Sequence, residues 1–489
     1  MYHNLQMELI LEAKDAEDWI YKGEGAVNLV LSYTGTSPNF IGKVLRVQKV
    51  KRNGSEYEKA PPALSKHECL VWKETRDLLS ASTKDIGNHI YAQQVMCPLL
   101  GSQHIDAGVC FYFLIHSASP TLNFIINFIL MVHVRVQVTR EFLESIHNGV
   151  LFQRPSWRAE DARINTQCDS AILMSDHSIF PHVSVKGGVD EEELCIAVEI
   201  KQPKCGFLPI SRFVREENAA KKRISRFKLH QILKFHQRKI SQISEYDPLD
   251  MFSASKGRVL KSVKDLFLTP QNNFRVFLNG SLVFGSLGGG ADDTDTRIAE
   301  AFEDTLKDVI EGDEEGMRTP NFLQLVTEAL SESGVMDRLL QVQKLDVLDI
   351  EGAIHAYYDV VSQPCVVCRE LGEANRYEPI HSLPIDQRVK IVRDYLISST
   401  AKDLSLIISF RPTGRGNPAS PYDVVFLESI NRSFEYKASF IDLDMKPVER
   451  MAYYYKLDQE IVGCYNRMME TVNRPGKSRV EPVENTSSA

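Results

Sequence analysis

Glu199-Ile200-Lys201-Gln202-Pro203-Lys204-Cys205-Gly206-Phe207 closes an apolar stretch, Glu193–Lys201, that reads as a strand. A strand that delivers a carboxylate and two lysines, then stops at proline and glycine, gathers charge at one strand end. Lysines held this way suit the phosphates of a nucleotide or a polyanionic substrate, because their charge acts without proton transfer.

The 489 residues are long for one compact core and point to two or more domains or lobes. Hydrophobic content of 43% and charged content of 25% belong to an ordinary soluble globular chain. The net charge of −8 excludes a globally basic partner surface, so a polyanion would need a local positive pocket. Nine scattered cysteines form no disulfide framework, and Met1–Leu11 lacks the regions of a signal peptide. The expected compartment is reducing, cytoplasmic or nuclear, and the expected state is a monomer.

Ala107–Val134 contains no Asp, Glu, Lys or Arg. It exceeds the ~20 residues of a spanning helix, but His116, Ser117, Pro120, Asn123, Asn127 and His133 interrupt it. The stretch reads as a membrane span, a buried insertion, or sequence foreign to the working protein.

Upstream, Trp19-Ile20-Tyr21, Gly23-Glu24-Gly25 and Asn28–Tyr33 read as strand, glycine turn and returning strand, followed by Phe40–Val47. Such a turn lets backbone N–H groups approach phosphates, although an ordinary hairpin has the same pattern. Helices are expected at Lys66–Ser80, Lys84–Leu99, Val214–Ile243, Phe322–Leu348 and Asp386–Thr400. Strands are expected at Ser170–Met174, Leu404–Phe410 and Tyr436–Leu443, with a Gly/Asp loop at Gly285–Thr294 and a disordered tail after Arg467.

Four constellations could carry chemistry. Lys222, Arg226, His230 and Lys234 repeat every four residues and would share one helix face, the pattern also of a solvated cationic face. Lys446, Arg450 and Tyr454 repeat that spacing after Asp442-Leu443-Asp444, with Pro447 where a helix could begin. Asp403 and Asp442 stand at strand edges, where one carboxylate could deprotonate a hydroxyl and the other hold Mg²⁺; such residues also make ordinary turns. His355-x9-Cys365-x2-Cys368-x12-His381 supplies the four ligands of a closed structural zinc site, and its spacing is not that of a DNA-reading finger.

Together these residues resemble the inositol-pentakisphosphate 2-kinases, most closely the plant forms, from Met7 to about Tyr465. The resemblance rests on the Glu199–Phe207 run and on Asp18-Trp19-Ile20-Tyr21-Lys22-Gly23-Glu24-Gly25. It also rests on Gln153-Arg154-Pro155-Ser156-Trp157-Arg158, Pro270-Gln271-Asn272-Asn273-Phe274-Arg275, Leu345–His355, Thr400–Asp403 and Ile441–Lys456. It implies transfer of the ATP γ-phosphate to the 2-hydroxyl of inositol 1,3,4,5,6-pentakisphosphate, giving inositol hexakisphosphate. The implied fold is α+β: a two-lobed, distant protein-kinase-like (inositol polyphosphate kinase) fold with an enlarged C-terminal lobe and a structural zinc site. The lobes would span 7–174 and 175–467, leaving 468–489 as the tail.

Carried over position by position, Gly25, Ala26, Val27 and Asn28 would cover the nucleotide and Arg46 would contact its phosphates. Asp176 and His177 would lie beside the adenine, and Glu199 and Arg275 would also serve the nucleotide. Lys201 would act on the transferred phosphate, Asp442 on Mg²⁺, and Asp403 as base for the 2-hydroxyl. Arg158, Lys204, Arg226, His230, Lys234, Asn272, Lys446, Arg450 and Tyr454 would grip the inositol phosphates. His355, Cys365, Cys368 and His381 would hold Zn²⁺.

The chain departs from that pattern in three places. Six residues precede Met7. Cys110–Val134 is inserted between Asp106–Val109 and Arg135–Val138, and a translated intron or faulty gene model explains it best. Gln202 is an extra residue, which inside a strand would turn Lys201 and Lys204 to opposite faces unless a bulge absorbed it. The rival readings are a kinase of another inositol polyphosphate position and a non-catalytic inositol-polyphosphate binder. A nucleic-acid or membrane partner is not expected.

Overall fold

A computed structural model describes residues 10–25, 27–52, 63–105, 109–111, 130–132, 134–180, 194–201, 203–285, 294–310, 316–413 and 420–472. Ala26, most of the Cys110–Val134 stretch, Gln202, most of the Gly/Asp loop and the tail after Val472 lie outside the described residues.

The chain is α+β, with two separate sheets. The first runs in the order Ile10–Leu11, Val134–Val138, Ser170–Ser175, Lys43–Lys51, Asn28–Tyr33, Trp19–Glu24, with Ala162–Ile164 paired to the far end of Lys43–Lys51. Alternation decides its faces: Leu29, Leu31, Leu45, Val47, Val136 and Leu173 point into one core, which the helix Arg140–Val150 covers with Phe142, Leu143 and Ile146. The expected glycine turn is present, with Gly25 N–H donating to Asn28 O at 2.9 Å and Lys49 N–H to Val27 O at 2.7 Å.

The second sheet is antiparallel, in the order Ser281–Phe284, Phe274–Leu278, Ile196–Lys201, Ser405–Pro412, Arg432–Ile441, Asp423–Leu427. Ile196–Lys201 is interior to it and nearly continuously apolar, which is why it reads as a buried run rather than an alternating one. The helices Arg318–Glu332, Val335–Gln343, Asp349–Val360, Ile385–Ala401 and Met451–Val472 build the larger core around this sheet.

Four helical expectations change, the first being Lys66–Ser80, which is two short helices, Lys66–Val71 and Arg76–Leu79. Phe322–Leu348 is two helices, because Gly334 takes φ +64° between them. Val214–Ile243 is a 3₁₀ segment, Glu216–Lys222, followed by a helix that begins only at Arg226. The last helix reaches Val472, past the expected start of the tail. The helices Lys66–Val71, Arg76–Leu79, Lys84–Tyr91 and Cys97–Leu100 pack into the larger core: Trp72 meets Tyr91 edge-on at 5.2 Å, and Tyr91 Oη donates to Thr400 Oγ1 at 3.2 Å.

Residues 175–180 join the two sheets. Lys22 reaches across from the first sheet to Asp176 Oδ2 at 2.6 Å, Ser178 Oγ at 2.8 Å and Gly280 O at 3.1 Å. Ser409 Oγ donates to His177 O, and Lys437 Nζ to Ile179 O at 2.5 Å. Among the described residues no helix is long and apolar enough to cross a membrane.

Candidate active site

The antiparallel register gathers charge at one end of the second sheet. Lys201 pairs with Ser405, and Ser405 with Ile441, so Lys201, Asp442 and Asp403, which lies two residues before Ser405, come to the same sheet end. Asp403 follows the helix Ile385–Ala401 rather than opening the strand, its N–H donating to Thr400 O at 3.0 Å. Asp442 turns the chain out of its strand at φ +61°. Crowding by protein raises the Asp442 pKa, while Lys201 and Arg46 draw it down. Glu199 sits behind, paired across the ladder with Arg275 at 3.2 Å; burial would raise its carboxyl, but Arg275 and Lys201 prevail and lower it. Lys201 is the last described residue of its strand, so face alternation does not carry on to Lys204.

Two cavities flank this sheet end. The smaller, about 50 Å³, is lined by Arg46, Asp85, Asn88, His89, His177, Asp442 and Asp444 among others. Arg46 forms an ion pair with Asp444. With the Asn28 amide turned so that its oxygen faces Arg46, the guanidinium donates to it at 2.5 and 2.8 Å. Asp176 lies just behind His177, buried; burial would raise its carboxyl, but Lys22 and Ser178 hold it low.

The larger cavity, about 300 Å³, is lined by Lys204, Arg226, His230, Lys234, Lys446 and Tyr454, with Asp403 at its edge in an ion pair with Lys446. Arg226, His230 and Lys234 share one face of the helix Arg226–His236, as expected from their spacing. Lys222 does not join them: it ends the separate 3₁₀ segment and is exposed, and its neighbour Lys221 lines the cavity instead. Burial lowers the Lys204 ammonium to about 7, with Lys234 and Lys201 adding like charge and Asp403 opposing. Burial and the charges of Lys234, Arg226 and Lys204 take His230 down to about 3. A cluster of cations this unfavourable to itself is a site prepared for anions.

Three expected contacts stand outside the cavity wall. Arg158 is on the helix Ser156–Asp161 beside the first sheet, stacked on Trp157 at 4.2 Å. Asn272 is exposed in the turn before Phe274. Arg450 is exposed, with its guanidinium 4.9 Å from the Tyr453 ring and 5.8 Å from that of Tyr454.

Beneath Gly25 is a buried triad that sequence reasoning missed. Arg154 Nε and Nη2 donate to the two Glu24 oxygens at 2.9 Å each, and Lys49 pairs with the same carboxylate. Lys49 also donates to Gly25 O at 2.7 Å, and Arg154 to Arg158 O at 3.0 Å. All three side chains are within 1% of full burial. Glu24→Gln strands two buried cations, so urea unfolding should show a loss of about 3 kcal/mol; a loss under about 1 kcal/mol would contradict a closed charge triad.

His355, Cys365, Cys368 and His381 offer ligand atoms that all lie within 4.8 Å of one another. His355 comes from the helix Asp349–Val360, Cys365 caps the helix Val366–Leu371 that carries Cys368, and His381 ends Ala374–His381. The Asp359 carboxylate faces His381 Nδ1 at 2.9 Å and Arg388 at 3.0 Å. A proton on Nδ1 leaves the Nε2 lone pair aimed at Cys368 Sγ, 3.3 Å away.

A family model described as inositol-pentakisphosphate 2-kinase matches residues 21–460. The inositol-pentakisphosphate 2-kinase of Arabidopsis thaliana is 48% identical over 470 residues, covering 96% of this chain and 97% of its own length. The Oryza sativa subsp. indica protein of that name is 46% identical over 96% of this chain and 98% of its own, and the Danio rerio one 26% identical over 94% and 95%.

Proposed function

We propose that this chain, which belongs to the inositol-pentakisphosphate 2-kinase family, transfers the γ-phosphate of ATP to the 2-hydroxyl of inositol pentakisphosphate, giving inositol hexakisphosphate. The observation that carries this reading is a pair of cavities at one sheet end, one acidic with an arginine and lined by Asp442, the other rich in cations and lined by Asp403, with Lys201 ending the strand nearby. We read the two sheets, each with its own core, as the two lobes of a kinase-like fold, with the inositide in the larger cavity and the ATP phosphates toward the smaller, which at about 50 Å³ takes only part of the nucleotide.

On this reading Gly25 to Asn28 cover the nucleotide, Arg46 meets its phosphates, and Asp176 and His177 border the base. Asp442, with Asp444 nearby, offers carboxylate oxygens, the donor type that a divalent cation such as Mg²⁺ takes. Mg²⁺ bound there would neutralise charge on the β- and γ-phosphates. Lys201, at the shared sheet end, stabilises the phosphoryl group in transit. Lys204, Arg226, His230, Lys234, Lys446 and Tyr454 hold the inositol phosphates, each charge-assisted contact contributing about 1.5–3 kcal/mol. Lys446 occupies Asp403 here. A substrate phosphate offers Lys446 a more highly charged partner, which frees Asp403 to orient and deprotonate the attacking hydroxyl. Arg158 reaches the inositide only if the first sheet swings toward the larger cavity.

The S₂N₂ donor set and the Asp359 contact fit zinc in a closed tetrahedral site, pinning three helices behind the inositide cavity.

The experiment that tests the assignment is inositide saturation of the transfer reaction as a function of pH, with the position of the new phosphate determined alongside. Lys204 is lowered to about 7 in the free protein, and a bound polyanion favours its charged form. Binding therefore takes up a proton above pH 7, and the inositide KM should rise between about pH 7 and 9 while the ATP KM stays flat. Lys204→Arg, always protonated, should flatten that rise and so separate it from titration of the substrate itself. A profile identical in the two proteins, or phosphate at another position, would oppose the assignment.

A further inference from the structure

We propose that Lys221 is a positioning residue for the inositide cavity: it neutralises Asp349, Glu351 and Asp458, so that Asp458 can hold Arg226 at the cavity without turning that wall acidic. The inference rests on the larger cavity being the inositide site.

The carboxylates that line this cavity are each matched by a cation: Asp346 by Lys402, Asp403 by Lys446, and Asp349 and Asp458 by Lys221. Glu351 lies directly behind, and one oxygen from each of Asp349, Glu351 and Asp458 lies within 4.8 Å of the others. The Lys221 ammonium occupies the place among them that a cation would take. It pairs with Asp349, reaches Glu351 Oε1 at 3.0 Å and Asp458 Oδ2 at 2.7 Å, and its side chain is 7% exposed. The second Asp458 oxygen, Oδ1, receives Arg226 Nη1. One carboxylate thus divides its two oxygens between a buried lysine and a guanidinium whose side chain is 42% exposed. Without Lys221, Asp349 and Glu351 would lose the ammonium between them, and Asp458 would keep only Arg226.

The network also unites elements remote in sequence: the 3₁₀ segment Glu216–Lys222, the first turn of Asp349–Val360, and the helix Met451–Val472. Asn218 Nδ2 donates to Glu351 at 3.0 Å and the Arg215 N–H at 3.1 Å, so Glu351 is held from both sides. Burial pushes Asp349 up to about 6 against the pull of Lys221, with Asp458 and Asp346 adding like charge.

The test is steady-state transfer with both substrates varied. Lys221→Met should raise the inositide KM about 10–100-fold, the loss of one charge-assisted contact or more, and change the ATP KM less than about threefold. Adding Glu351→Gln to Lys221→Met removes a carboxylate that the lysine neutralised and should recover part of that loss. A merely structural role gives the opposite result, because Glu351→Gln also weakens the hold on Asn218 and Arg215. If the single variant does not fold, the double variant and Lys221→Arg carry the test, the latter with an inositide KM within about threefold of the parent. An unchanged inositide KM in folded Lys221→Met, or a double variant worse than the single, overturns the proposal. Lys234→Ala is the control: if it too leaves the inositide KM unchanged, the cavity assignment has failed; if it raises that KM and Lys221→Met does not, only the role of Lys221 has failed.

Discussion

Asp403→Asn should lower the rate of phosphate transfer about 10²–10⁴-fold, the range for removal of a positioned general base, while ATP and the inositide still bind. The substitution keeps the side chain's size and the Asp403 N–H bond to Thr400 O, so the sheet end keeps its shape. What it removes is basicity: the amide oxygen still accepts a hydrogen bond but does not take up the hydroxyl proton. It also removes the ion pair with Lys446, which leaves that ammonium free for a substrate phosphate. Inositide affinity should therefore hold or tighten as turnover collapses, a divergence that unfolding cannot imitate. Single-turnover transfer and binding calorimetry on the same preparation measure the two quantities. Residual turnover above about a tenth of the parent rate would remove Asp403 from the role of base.

Cys368→Ser should destabilise the chain severely. Cys368 Sγ lies 3.2 Å from His355 Nδ1 and 3.3 Å from His381 Nε2, so it is the ligand that touches both histidines. Structural zinc contributes about 10–16 kcal/mol of binding free energy in small domains. Spread over 489 residues, whose unfolding entropy is about 1 kcal/mol/K, most of that contribution corresponds to a fall in melting temperature of about 10 °C. Prolonged chelation of the parent protein should approach the same melting temperature, and metal analysis should find zinc in the parent but not in the variant. Because the helix Asp349–Val360 carries both His355 and two of the three carboxylates around Lys221, inositide affinity should fall with the zinc. A parent free of zinc, or a variant melting within about 2 °C of it, would contradict a structural zinc site.

Much of this was legible in the sequence where the signal was local. The Trp19–Tyr33 turn, the Ile196–Lys201 strand and the Arg226–His230–Lys234 stripe were readable from periodicity and punctuation, and the structure has all three. The Lys222 error shows the limit. Ala219-Ala220-Lys221-Lys222-Arg223 is helix-favouring by composition and masks the break, which only Ser225, the N-cap of the next helix, marks; a one-residue error in phase exchanges a buried lysine for an exposed one. The Glu24–Lys49–Arg154 triad and the pairing of Arg226 with Asp458 join residues far apart in the chain, and only tertiary packing reveals which of many charges are partners. The convergence of Lys201, Asp403 and Asp442 falls between these cases: each reads as a strand-end residue, but their meeting follows from the antiparallel order of three strands.

The most direct measurement is transfer from Mg·ATP to inositol 1,3,4,5,6-pentakisphosphate by this chain, with the inositol products separated and Asp403→Asn run alongside. The account predicts inositol hexakisphosphate from the parent and almost none from the variant. No hexakisphosphate from soluble parent protein that binds both substrates, or equal amounts from the two proteins, would contradict it.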